Sequence, residues 1–76
     1  MYKQFPINPT LYYMKKEGDN LIIALKSSKG VTERKYKDVP IEIIGKLFYL
    51  NSAKECLSYY SKEIKGKFTV LTVTKK

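Results

Sequence analysis

The hydrophobic period changes at Val39-Pro40, and that change limits the fold more than any other feature of the chain. Residues 31–37 are rich in strand formers and charge. In an extended chain Arg34 and Tyr36 share one face, and Glu33, Lys35 and Lys37 share the other. From Ile41 onward the apolar residues fall at helical spacing: Ile41, Ile44 and Phe48, with Ile43, Leu47 and Leu50 beside them. Proline fixes φ near −65° and lacks an N–H, so Pro40 suits a helix start. It also drives Val39 toward extended geometry. A strand therefore ends here and a helix begins.

The rest of the chain arranges itself around that switch. Residues 1–10 hold Pro6 and Pro9 without a clear period and read as an extended N-terminal arm. Residues 11–17 and 21–27 read as strands joined by Glu17-Gly-Asp-Asn20, whose small residues tolerate positive φ. The second of these strands is apolar on both faces, which places it centrally. A second turn, Ser27-Ser-Lys-Gly30, leads into the 31–37 strand, and the three strands form an antiparallel meander. After the helix, Ser52-Ala-Lys-Glu55 is a capping box for a second helix over residues 53–65. Its apolar stripe is Ala53, Cys56, Leu57, Tyr60 and Ile64, and Gly66 follows as its stop. Residues 67–74 read as the last strand and residues 75–76 as a flexible tail. The expectation is one α+β domain over residues 1–76, in the order β-β-β-α-α-β, with the helices packed on one face of an antiparallel sheet.

Composition narrows the function classes. Fifteen basic residues, fourteen of them lysine, stand against seven acidic ones, a net charge of +8. That excess favours polyanions through counterion release, although the abundance of Lys, Ile, Tyr and Asn also fits an AT-rich coding sequence. The chain has one cysteine and no histidine, so no internal disulfide, no zinc site, no metal and no cofactor is expected. No stretch reaches the ~20 apolar residues that span a bilayer, and the N-terminus lacks a secretory leader. The expected protein is cytoplasmic, with no membrane partner. Catalysis is not expected either. The seven acids are scattered on polar faces, Cys56 lies on an apolar stripe where a thiol is unreactive, and the four glycines are isolated.

The run Tyr36-Lys37-Asp38-Val39-Pro40, with Ile43 and Leu47 after it and Ile64-Lys-Gly-Lys-Phe68 further on, resembles the KTSC domain. That family is a small α+β module found alone and at the C-terminus of some lysyl-tRNA synthetases. Arg34 stands where the family pattern has its first tyrosine. The resemblance implies the fold and points toward RNA.

Tyr12, Tyr13 and Tyr36 fall on expected strands among Lys15, Lys16, Lys26, Arg34, Lys35 and Lys37. Aromatic faces beside cations suit single-stranded DNA or RNA, whose bases stack while phosphates meet lysines. Leu21, Ile23 and Leu25 are the stronger apolar set of their strand and should face the helices, turning Ile22, Ala24 and Lys26 outward. Strict alternation allows only one of Tyr12 and Tyr13 on that outward face. The expected nucleic-acid-binding residues are Lys16, Lys26, Arg34 and Tyr36. Tyr36 has an alternative place beneath the first helix, with Lys35 and Lys37 outside. A second function hypothesis is a protein-interaction module, including a homodimer joined through the sheet. Lysines clustered around tyrosines favour the first, and an apolar open face favours the second.

Overall fold

The computed structural model describes residues 1–75. Its order is β1 (Tyr2–Gln4), β2 (Leu11–Glu17), β3 (Asn20–Ser27), β4 (Gly30–Tyr36), α1 (Ile41–Tyr49), α2 (Ala53–Glu63) and β5 (Val70–Lys75). The strands form one antiparallel sheet in the order β1-β2-β3-β4-β5, with both helices on one face. The α+β class and the central place of β3 are as the sequence predicts. Two ends differ. The N-terminal arm contributes a strand, because Tyr2, Lys3 and Gln4 pair with Lys15, Met14 and Tyr13. Lys75 is no tail residue, since it pairs with Thr32 in β5. Lys76 lies outside the described residues.

Local chemistry accounts for the junctions. The β2–β3 turn is two residues long, and Gly18 takes φ +62°, a region open to glycine at no steric cost. Asp19 and Asn20 also brace the β4–α1 link. The Asp19 carbonyl accepts from the Val39 amide at 3.0 Å, and Asn20 Oδ1 accepts from the Asp38 amide at 3.3 Å. Pro40 is the N-cap of α1, and its carbonyl receives the Ile43 and Ile44 amides. Ser52 caps α2: its Oγ accepts from the Glu55 amide at 3.1 Å. The Glu55 carboxylate returns to the Ser52 hydroxyl. At the other end of α1, Lys3 Nζ donates to the Phe48 and Leu50 carbonyls. A cation at a helix C-terminus offsets the dipole and fills orphan acceptors.

The core lies between the sheet and the helices. Leu11, Met14, Leu21, Ile23 and Tyr36 from the strands meet Ile44, Leu47, Cys56, Tyr60 and Ile64 from the helices. Cys56 is buried there, and burial pushes its thiol pKa up. Among the described residues no helix is long and apolar enough to cross a membrane.

Candidate nucleic-acid interface

The face of the sheet away from the helices is built in cross-strand rows. One row runs Tyr2, Lys15, Ile22, Lys35, Thr72, and the next runs Gln4, Tyr13, Ala24, Glu33, Thr74. Ile22 and Ala24 keep only 6% and 0% exposure although no helix covers them. The longer side chains of β2 and β4 close over them. Lys15, Glu17, Glu33, Lys35, Thr72 and Thr74 surround Ile22 in an open depression of about 230 Å³.

Three tyrosines sit at one end of this face. The Tyr2 and Tyr13 rings stack with centroids 5.6 Å apart and planes 27° apart. Tyr12 tilts against Tyr13 at 5.3 Å. Alternation alone would separate Tyr12 from Tyr13, so their proximity corrects the expectation that only one of them faces outward. The cause is a bulge. Leu11 pairs with Leu25 and Tyr13 with Ala24, which leaves Tyr12 as an extra residue on β2. A bulge of this kind re-aims a side chain. Tyr12 joins Lys26, Pro6, Gln4 and Val31 along a groove on the same face.

Cations accompany the rings. Lys15 Nζ lies 6.0 Å from the Tyr13 centroid, and Lys26 Nζ lies 5.1 Å from that of Tyr12. Lys26 also donates to the Pro6 and Asn8 carbonyls at 2.9 and 2.8 Å, so it anchors the β1–β2 loop. Lys35 pairs with Glu17 at 2.9 Å across the mouth of the depression. Its hydrogen bond, followed by its charge, holds the Glu17 carboxyl below the ordinary carboxylate range. The open face therefore mixes signs: Lys15, Lys26 and Lys35 stand against Glu17 and Glu33. Lys46, Lys54 and Lys62 lie on the helices.

Of the four expected binding residues, only Lys26 faces outward beside an aromatic ring. Tyr36 is 1% exposed beneath the helices, where its hydroxyl meets that of Tyr60 at 2.5 Å and the rings cross edge to face. Arg34 lies on the same side and donates from Nη1 to the Tyr60 hydroxyl at 3.4 Å. Burial first, and the Tyr36 hydrogen bond second, push the Tyr60 pKa up to about 12. The alternative expectation puts Tyr36 beneath the first helix; it does take the helix-bearing side, but it meets Tyr60 of α2 there, while Lys35 points outward. Lys16 pairs with Leu21, a core residue, so it too lies on the helix-bearing side, where its Nζ donates to the Gly18 carbonyl. Tyr2 was hidden in the N-terminal arm. A three-residue strand is too short for its alternation to register as a period.

Among the described residues there is no group of three or more His, Cys, Asp or Glu side chains able to hold a metal ion. Fold and face together define a small α+β domain with an uncovered antiparallel sheet bearing aromatic and cationic groups. Comparison with protein-family models, curated proteins and solved structures yields no match to this chain.

Proposed function

We propose that this domain is a non-catalytic binding module for single-stranded DNA or RNA, and that it uses the open sheet face. One observation carries the reading: Tyr2, Tyr13 and Tyr12 form a contiguous run of rings on an uncovered face, with Lys15 and Lys26 over two of them. Bases stack on such rings regardless of sequence, and lysines beside them meet the phosphates. The net charge of +8 supports long-range attraction of a polyanion. The resemblance of residues 36–40 and 64–68 to the KTSC domain points the same way. The binding residues assigned here are Tyr2, Tyr12, Tyr13 and Lys15, with Lys26 retained from the sequence expectation.

The test is a fluorescence anisotropy titration with labelled single-stranded and duplex DNA and RNA at two salt concentrations. Single strands should bind more tightly than duplexes. The logarithm of affinity should fall with the logarithm of salt by about 0.7 per phosphate neutralised. Tyr13→Ala should remove about 1–3 kcal/mol without changing that slope. Lys15→Ala should lower the slope by up to about one. If the folded protein binds none of these nucleic acids at low salt, the proposal fails.

A further inference from the structure

The open face mixes signs, and contact with a phosphate backbone gives no reason for that. Glu17 and Glu33 stand beside Lys15 and Lys35 around the depression floored by Ile22. A carboxylate repels a phosphate, so a face built only for the backbone would omit both acids. Carboxylates do suit base edges, which carry N–H donors. The depression is also placed for a base. Ile22 is the cross-strand neighbour of Lys15, and Lys15 that of Tyr2. Tyr13 is the diagonal neighbour of Ile22, a spacing of about 7–8 Å. The hollow therefore begins where the tyrosine row ends. Its volume of about 230 Å³ lies below the roughly 300–1,000 Å³ of pockets for drug-sized ligands, which suits a single flat ring system. An apolar floor with a few polar groups at the rim is the usual make-up of a ligand site.

We propose that this depression is a base-reading subsite for guanine, with the Glu17–Lys35 pair as its reading edge. The inference rests on the single-strand reading of the open face, and adds a base preference to stacking that has none. Lys35 Nζ and Glu17 Oε1 lie 2.9 Å apart, so a donor and an acceptor stand side by side at the rim. The Watson–Crick edge of guanine presents the complement: the O6 acceptor beside the N1–H and N2–H donors. Lys35 donates to O6. The Glu17 carboxylate accepts from N1–H and N2–H through its two oxygens, as a carboxylate does from an Arg fork. No other standard base offers this pair two adjacent donors. Adenine and cytosine set a ring-nitrogen acceptor next to their amino group, and that lone pair would face the carboxylate. Thymine and uracil offer one N–H between two carbonyls. The ring plane rests on Ile22, and Lys15, between the hollow and the tyrosines, is left for the phosphate.

Fluorescence anisotropy with a labelled oligothymidylate tests this, against the same strand with one central thymine replaced by guanine, inosine, adenine or cytosine. The guanine strand should bind roughly 5- to 150-fold more tightly than the thymine strand, the range for a bidentate base contact. Adenine stacks as a purine but should gain far less. Inosine, which is guanine without its 2-amino group, should fall between guanine and thymine. Glu17→Gln changes a side chain that is 56% exposed, so the fold should hold. Its amide replaces one of the two acceptor oxygens with a donor, so guanine and inosine should bind alike. The thymine strand should bind this variant no more weakly than the parent, because a negative charge has gone. A guanine preference no larger than the adenine one overturns the proposal, as does a preference that survives Glu17→Gln. If all strands bind alike and Tyr13→Ala weakens them all, the stacking face stands and the guanine subsite falls. If no strand binds, both fall.

Discussion

The sheet carries a tyrosine–cation cluster on each of its faces, and the two clusters do opposite work. Between sheet and helices, the buried Tyr36 meets Tyr60 of α2, with the partly exposed Arg34 beside them. The phenols share a hydrogen bond, and Arg34 supplies another from the margin. On the open face, Tyr2, Tyr12 and Tyr13 lie beside Lys15 and Lys26 with no helix above them. The residue types are nearly interchangeable, and coverage decides the outcome. Where a helix lies overhead, an unmatched phenol is costly, so the hydroxyls must find each other. Where none does, water satisfies the polar tips and the ring faces remain available. An Arg beside a Tyr in a strand is therefore no evidence for a ligand until the overlying layer is known.

The contrast is sharpest in stability. Tyr36→Ala should cost about 3–5 kcal/mol, the range for truncating a buried aromatic, measured by urea unfolding. A loss below about 1 kcal/mol would mean that the covered cluster is not part of the core. Tyr60→Phe comes next, at about 1–3 kcal/mol, because it leaves the Tyr36 hydroxyl without its partner. This variant also has a signature in pH. The folded Tyr60 holds its proton up to about pH 12, against 10 for an ordinary tyrosine. The native state thus binds more protons than the unfolded state between those values, and stability falls as pH rises through that window. Unfolding free energies measured across it should fall less steeply for Tyr60→Phe than for the parent chain. Equal slopes would separate the alkaline loss from Tyr60. The smallest effect belongs to the open face. Tyr2→Ala should change stability by only about 0.2–1 kcal/mol, the worth of one cross-strand pair. A thermal melt showing a loss as large as that of Tyr36→Ala would erase the distinction between the faces.

Much of this arrangement is written in the sequence, and the failures have physical causes. Leu21, Ile23 and Leu25 outweigh Ile22, Ala24 and Lys26 in apolar character, so the orientation of β3 is legible. The Ser52–Glu55 box and the Gly18 turn are local chemistry and appear where their residues stand. The orientation of β4 is not legible, because both alternating sets in residues 31–37 carry charge. Arg34 and Tyr36 are amphipathic enough to reach a rim or pair within a core. The bulge at Tyr12 is invisible for another reason. It depends on how β2 registers with β3, a pairing that no local pattern encodes. One inserted residue rewrote the aromatic half of the site.

The bonds from Lys3 to the end of α1 also bear on the order in which the molecule is assembled. They join residues 45 and 47 positions apart. Closing so long a loop has an entropic cost that local hairpins avoid. A chain emerging from the ribosome delivers residues 1–4 well before their helical partner, which arrives dozens of residues later. The β2–β3–β4 meander has only short turns to close and can form while α1 is still being made. β1 can pair with β2 through the short intervening loop, and it is the Lys3 clasp on α1 that is among the last contacts to close.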